Sequence, residues 1–127
     1  PISSRIQGFD RDKGAVEMAI ANASRAGQKT EVVFRQQAIS SLDPAATPGW
    51  IITNPPYGIR VSADRDLRDL YARFGNILRT KFSGWKVGIL CGDPKLTGQL
   101  NIGNEYARLR FSNGGVPVQF SIFTIGS

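Results

Sequence analysis

The chain contains no histidine and only a single cysteine, Cys91. Without histidine the chain can form neither a Ser-His-Asp triad nor a histidine-ligated metal site, and we expect no metal. One cysteine cannot form an internal disulfide, which is typical of a protein of the reducing cytoplasm. Because Cys91 follows the apolar run from Val87 to Leu90, we predict a buried strand position for it rather than a reactive thiol.

Long apolar runs are missing as well. No segment approaches the roughly 20 apolar residues that cross a bilayer, and no signal peptide opens the chain, so we expect a cytoplasmic protein without a membrane partner. The 127 residues carry a net charge of +6, which favours an anionic partner such as a nucleic acid. The chain opens at Pro1 without an initiator methionine, and we therefore expect part of a longer protein.

Short apolar strands alternate with helical patterns along most of the chain. The order strand, helix, strand, strand, helix, strand, followed by an antiparallel pair, predicts one α/β domain, or most of one, over residues 1–127. Its sheet would be mostly parallel and would end in a hairpin at Asn113-Gly114-Gly115. The predicted strands are Ile6–Asp10, Val32–Phe34, Trp50–Thr53, Lys86–Cys91, Ala107–Phe111 and Pro117–Ile125.

Two helices are predicted from their caps and apolar spacing. Asp12 is a good N-cap and Gly27 a good C-cap for the first helix, and Ser62 can cap the second. The apolar positions at helical spacing are Val16, Ala19, Ile20 and Ala23 in the first helix, and Leu67, Leu70, Tyr71, Phe74 and Leu78 in the second.

The segment Asn54-Pro55-Pro56-Tyr57-Gly58 directly follows the strand predicted at Trp50–Thr53. Ligands of open α/β sheets bind beyond the carboxyl ends of the strands. The Asn54 side-chain oxygen and the Pro55 carbonyl can accept both N–H bonds of an exocyclic base amine, which points the nitrogen lone pair at a methyl donor. The prolines keep these acceptors rigid, and Tyr57 can stack on the base. The alternative is a proline-rich turn in which Tyr57 covers the core.

A carboxylate, Asp10, ends the first predicted strand just before a helix. In this position a carboxylate can bind the two hydroxyls of a ribose. Asp10 or Asp12 could instead only cap the helix. Because Asp10 ends the strand, it is the better ligand candidate, and Asp12 is the better cap.

Together these segments resemble the class I S-adenosylmethionine-dependent methyltransferases. More narrowly, the chain resembles the bacterial 23S rRNA guanine-N2 methyltransferases of the RNA methylase family, which implies a Rossmann-like sheet. The residues that carry the resemblance are Gly8-Phe9-Asp10-Arg11-Asp12, Ala21-Asn22-Ala23 to Ala26-Gly27, Asn54-Pro55-Pro56-Tyr57-Gly58 with Arg60, Phe82-Ser83-Gly84-Trp85 and the closing hairpin.

The resemblance implies S-adenosylmethionine as cofactor and ribosomal RNA as partner. Phe9, Asp10 and Asn54 would contact the cofactor, Asp10 through its ribose. The segment Asn54-Pro55-Pro56-Tyr57 would hold a flipped guanine for methylation at N2, with Tyr57 and Arg60 contacting the RNA.

The chain departs from the family pattern in two ways. Ala38 stands where the family usually has an aspartate that contacts the adenine, and Gln37 could replace it through its amide. The glycine-rich first motif and the upstream RNA-binding region of the family are not found in these residues. We therefore expect an N-terminal half beyond them, and little activity from this part alone.

The segment from Arg60 to Lys86 contains seven basic residues and only three acidic ones. Arg60 is the best phosphate contact, and most of the others are expected on a solvated helix face. Two other functions stay open: the same chemistry on DNA adenine or a protein glutamine, and a non-catalytic RNA-binding remnant, which Ala38 favours.

Overall fold

The computed structural model of the protein describes residues 6–28, 32–44, 48–56 and 64–126, and for residues 64–66 the backbone alone. The chain divides into two compact units, Pro1–Leu42 and Asp43–Ser127. None of the helices in the described ranges combines the length and the apolar character needed to cross a membrane.

The first unit is a strand-helix-strand arrangement. Strand β1 (Ile6–Asp10) and strand β2 (Val32–Gln36) are parallel, and helix α1 (Lys13–Arg25) connects them. The predicted cap is confirmed, since the Asp12 side chain accepts a hydrogen bond from the Gly14 N–H at 3.2 Å. Helix α1 ends before Gly27, whose φ of 76° is the left-handed conformation that a glycine adopts without strain.

The packing of α1 differs from the predicted stripe at one position. Val16 is buried and Ala19 and Ala23 are half-buried, but Ile20 is exposed. The buried face is centred on these three residues, and Ile20 lies beside it.

The register of β1 and β2 explains Gly8. Gly8 is opposite Phe34, and a Cβ at this glycine would lie 2.6 Å from the Phe34 ring. A glycine at this position therefore lets the two strands pair with the Phe34 ring lying against the Gly8 backbone. The same register places Asp10 opposite Gln36, so β2 extends two residues beyond the predicted end and brings polar side chains beside Asp10.

The second unit is a mixed sheet in the order β3-β4-β6-β5. Strands β3 and β4 are parallel, and the pairs β4–β6 and β5–β6 are antiparallel. Both Gly114 and Gly115 have positive φ, as a two-residue hairpin turn requires, so the predicted hairpin is confirmed. The strands are β3 (Trp50–Thr53), β4 (Lys86–Cys91), β5 (Gly103–Asn113) and β6 (Val116–Ile125), and the helices are α2 (Asp64–Lys81) and α3 (Pro94–Gln99).

The core of the second unit forms where α2 and the central strands bury their apolar faces. The predicted stripe of α2 is confirmed, with Leu70 half-buried and the other four residues buried. On β4, Val87, Ile89 and Cys91 are buried, which confirms the prediction for Cys91. The predicted cap Ser62 lies outside the described residues.

Helix α3 is absent from the sequence-based prediction, although its start carries a recognisable signal. Asp93 caps the helix by accepting from the Lys95 N–H at 3.0 Å, and Pro94 occupies the first turn. The far end of α3 lies against α2, where a Cβ at Gly75 would be 2.0 Å from the Leu100 carbonyl oxygen. The Arg79 guanidinium donates to the carbonyls of Leu100 and Asn101 at 2.6 and 2.9 Å, and so caps the C-terminal end of α3.

Candidate active site

The loop that follows β3 presents an exposed amide on a rigid backbone. Asn54 is exposed, Pro55 is buried and Pro56 is exposed. The Asn54 side chain makes no hydrogen bond within the described residues, so its oxygen is available to a ligand. β3 runs parallel to β4, and the loop leaves the sheet at the carboxyl end of β3. The structure therefore places Asn54 where the sequence predicts a ligand site.

A buried tyrosine holds this loop from the α2 side. The Tyr71 hydroxyl lies 3.1 Å from the Pro56 carbonyl oxygen and 3.5 Å from the Pro55 carbonyl oxygen. The same hydroxyl also lies 3.3 Å from Cys91 Sγ. The bond to Pro56 is therefore a somewhat long hydrogen bond, and the contact with Pro55 is at the limit of one.

Cys91 belongs to this contact network and is buried. Its sulfur accepts a hydrogen bond from the Asp93 N–H at 3.4 Å and lies 3.5 Å from the Asp93 carbonyl oxygen. Burial is typical of a cysteine that packs rather than reacts. Cys91 therefore connects the end of β4 with the loop after β3.

In the first unit, Asp10 forms the turn into α1 and still offers one carboxylate oxygen. Its Oδ1 accepts a hydrogen bond from the Asp12 N–H at 2.8 Å, and its side chain is exposed. Asp12 uses its own carboxylate to cap α1. Asp12 is thus the helix cap, as predicted, while one carboxylate oxygen of Asp10 remains without a hydrogen bond in the described residues.

The end of β2 brings two glutamines next to this turn. The Gln37 N–H donates to the Asp10 carbonyl at 2.8 Å, so these two predicted residues are neighbours. The Gln37 side-chain amide donates to the Ser41 carbonyl at 2.6 Å, which leaves its amide oxygen free to accept. The Gln36 amide donates to the Arg11 carbonyl at 3.1 Å and ties β2 to the same turn.

The predicted site residues thus fall into two groups. Asp10 and Gln37 are adjacent in the first unit, where Phe9 is 39 % exposed, and Asn54, Pro55 and Pro56 form the loop of the second unit. Tyr57 and Arg60 lie outside the described residues. Sequence reasoning missed the contact of Tyr71 with this loop. The only signal for it was a tyrosine in a buried stripe, since a buried hydroxyl needs a partner.

Comparison with known proteins identifies the family of the chain. The model of the RMKL-like methyltransferase domain family matches residues 2–114. The chain is 33 % identical over 121 residues to the ribosomal RNA large subunit methyltransferase K/L of Shewanella baltica, a match that covers 95 % of this chain and 17 % of that protein. The chain therefore spans about one sixth of the length of the curated relatives that it matches.

Solved structures agree with this assignment. One protein, described as a methyltransferase and crystallised with SAH, superimposes with a TM-score of 0.86 at 28 % identity, covering 96 % of this chain and 32 % of that one. Another, named as a predicted N6-adenine-specific DNA methylase from Listeria monocytogenes, has a TM-score of 0.77 at 23 % identity over 96 % of this chain and 30 % of its own. The Rossmann-like methyltransferase fold is therefore confirmed. On the family match and this fold together, the chain belongs to the RMKL-like methyltransferase domain family.

Proposed function

We propose that the protein transfers a methyl group from S-adenosylmethionine to an exocyclic amino nitrogen in ribosomal RNA, namely N2 of a guanine in 23S rRNA. The observation that carries the proposal is the exposed Asn54 amide on a rigid diproline loop at the carboxyl end of β3. The nature of the curated relatives, which are ribosomal RNA large subunit methyltransferases, supports RNA as the acceptor.

In this proposal the loop orients a weak nucleophile. The lone pair of an exocyclic amine is delocalised into the base, so the amine reacts only when its geometry is fixed. The Asn54 side-chain oxygen and the Pro55 carbonyl accept its two N–H bonds. Their dipoles then stabilise the positive charge that develops on nitrogen as the new bond forms.

The first unit offers groups that fit the cofactor. The free carboxylate oxygen of Asp10 suits the hydroxyls of a ribose, and the free amide oxygen of Gln37 suits the amino group of an adenine. Phe9 offers an exposed ring on the same strand as Asp10. The family resemblance adds Asn54 to the residues proposed to contact the cofactor. When bound, S-adenosylmethionine would supply the electrophilic methyl group, and its methyl–sulfur bond would break as the new N–C bond forms, so that S-adenosylhomocysteine leaves. The methylated nitrogen would then lose one N–H proton to solvent.

Two further residues of the proposal come from the sequence. Tyr57 follows the diproline and would stack on the flipped base, worth about 1–3 kcal/mol. Arg60 would contact a phosphate of the RNA. Both lie outside the described residues.

A second acceptor has a specific observation in its favour. The likeness to the Listeria monocytogenes protein named as a predicted N6-adenine-specific DNA methylase fits the same chemistry on adenine in DNA. Asn54 and Pro55 would hold the adenine N6 amine in the same way, so the loop does not distinguish the two acceptors.

The proposal is tested by offering labelled S-adenosylmethionine to the complete protein together with unmodified ribosomal RNA, duplex DNA or a protein extract in parallel. Label in ribosomal RNA, located at guanine N2 after digestion, is the expected result. Label in DNA or in protein would still support methyl transfer to an amino nitrogen, but it would exclude RNA as the acceptor. A protein that neither transfers label nor binds the cofactor would be the non-catalytic remnant that Ala38 suggests.

The role of Asp10 leads to a prediction about cofactor affinity. Asp10→Asn is expected to weaken S-adenosylmethionine binding by about 10- to 100-fold, the value of a hydrogen bond to a charged group. The new amide keeps an oxygen that can accept the Asp12 N–H, so the turn into α1 should persist. Titration calorimetry on the complete protein measures the change.

The control is Asp69→Asn, which removes the same charge from an exposed position of α2. It should leave the dissociation constant within about twofold, as expected for an exposed charge. Equal affinities in the two variants would exclude Asp10 from the ribose site.

A further inference from the structure

We propose that Tyr71 is a positioning residue for the loop Asn54-Pro55-Pro56 and that Cys91 orients its hydroxyl. The inference rests on the proposed function, because the loop is there the part of the site that holds the amine. Tyr71 itself touches neither cofactor nor base in this proposal. It acts through the backbone of the loop.

The loop needs such a partner because its two prolines lack backbone donors. Neither Pro55 nor Pro56 has an N–H, so backbone hydrogen bonds at these two residues can form only through their carbonyl oxygens. A carbonyl can be held only by a donor from elsewhere in the fold. The Tyr71 hydroxyl is that donor, at 3.1 Å from the Pro56 oxygen.

The direction of the hydrogen bonds follows from the number of protons. The Tyr71 hydroxyl has one proton, which it gives to the closer carbonyl, that of Pro56. Two acceptors lie within reach of the single Cys91 thiol proton, the Tyr71 oxygen at 3.3 Å and the Asp93 carbonyl at 3.5 Å, and we assign the proton to the closer one, Tyr71. The Cys91 sulfur accepts from the Asp93 N–H at 3.4 Å. Successive hydrogen bonds thus connect the start of α3 with the loop.

Burial protects these hydrogen bonds from competition with water. Tyr71 is 1 % exposed and Cys91 is 2 % exposed, so solvent has little access to replace either group. Because the hydroxyl is engaged with Pro56, the Pro55 carbonyl is left for the amine of the substrate. A loop without this anchor would still form, since Pro55 is itself buried, but its acceptors would sample more orientations.

The first experiment compares the kinetics of Tyr71→Phe with those of the unchanged complete protein on the acceptor found by labelling. The substitution removes only the hydroxyl and keeps the buried ring. We expect kcat to fall about tenfold, the value of one neutral hydrogen bond realised in the transition state. The KM for RNA and the affinity for S-adenosylmethionine should stay within about twofold, since no substrate contact is removed.

Tyr106→Phe is the matched control, because it makes the same change at an exposed tyrosine of β5. It should leave kcat unchanged. The positioning role of Tyr71 is overturned if both variants keep the full kcat. It is also overturned if Tyr71→Phe changes KM instead of kcat, or if its lower kcat is explained by a smaller fraction of folded protein.

A second measurement does not depend on methyl transfer. Hydrogen exchange of the peptide that contains residues 50–58, followed by mass spectrometry, is expected to be about three- to tenfold faster in Tyr71→Phe than in Tyr106→Phe. Equal exchange rates overturn the positioning role. If the unchanged protein transfers methyl to none of the acceptors, the proposed function is wrong. The hydrogen-exchange rates then test by themselves whether Tyr71 positions the loop.

The role of Cys91 is tested in a double-mutant cycle. Cys91→Ala alone should lower kcat about threefold, because the Tyr71 hydroxyl loses the donor that orients it. In the Tyr71→Phe background the same change should have no further effect on kcat. Additive effects would overturn the coupling between the two residues.

Discussion

Asn54→Ala is expected to lower kcat by about 100- to 1,000-fold while the protein keeps its stability. The variant removes an oxygen that in the proposed mechanism both orients the amine and stabilises its developing charge, and loss of one such group has an effect of this size. Asn54 is exposed and its side chain is without a hydrogen bond in the described residues, so the free energy of unfolding should change by less than about 0.5 kcal/mol. Initial rates of methyl transfer by the complete protein measure the effect.

Two further variants test whether the loss of activity is specific to the Asn54 oxygen. Asn54→Asp keeps an oxygen acceptor and should retain activity within roughly tenfold of the unchanged protein, because a carboxylate also accepts the amine N–H. Asn76→Ala is the matched control, since it removes an exposed asparagine side chain from α2 and should leave kcat unaffected. A fully active Asn54→Ala would show that the loop is only a proline-rich turn, the alternative that the sequence leaves open.

Gly75→Ala is expected to destabilise the protein by about 3 kcal/mol or more, at the upper end of what overpacking costs. An alanine Cβ would lie 2.0 Å from the Leu100 carbonyl oxygen, and a backbone atom cannot turn away as a flexible side chain can. The cost should outweigh the gain of about 1 kcal/mol that alanine brings to a helix. Thermal unfolding of the complete protein is the measurement, and the midpoint should fall by roughly 10 °C.

Gly98→Ala separates this packing effect from helix propensity. Gly98 lies in α3, and a Cβ there would meet no atom within 4 Å. Alanine at this position should therefore leave stability unchanged or raise it by up to about 1 kcal/mol. If Gly75→Ala proved as stable as Gly98→Ala, α2 would not be held against the end of α3 as the structure shows.

Gly75 also bears on the site. It lies one helical turn after Tyr71, so the two residues are on the same face of α2. The missing side chain at Gly75 allows this face to approach the rest of the second unit closely. Gly75→Ala is therefore expected to disturb the contact between Tyr71 and Pro56 as well.

Much of the fold could be predicted from the sequence because local rules decide it. The helix after Ile6–Asp10 is recognised from the Asp12 cap, and the structure confirms it. Its C-cap is Ala26 rather than the predicted Gly27, which follows it with a positive φ. The buried strand Lys86–Cys91 follows from its continuous apolar character. Helix α3 was missed because it is only six residues long and has no apolar stripe, although Asp93 and Pro94 mark its start.

Strand lengths, by contrast, were decided by pairing. β2 continues to Gln36 because Asp10 is its partner, and β5 begins at Gly103 because β6 extends to Ile125. Neither end carries an apolar pattern of its own. Local periodicity cannot predict such residues, because they join a strand only through backbone hydrogen bonds with a distant segment.

The family and the candidate site residues could be recognised from local motifs, namely Asp10 at a strand end and Asn54 before two prolines. The contacts that support these motifs became visible only in the folded chain. Tyr71 contacts a carbonyl 15 residues away, and Cys91 contacts Tyr71 across 20 residues. Motifs follow from residue types and spacing along the chain, whereas such supporting contacts depend on the register of strands and on how closely α2 approaches its neighbours, which long-range packing alone sets.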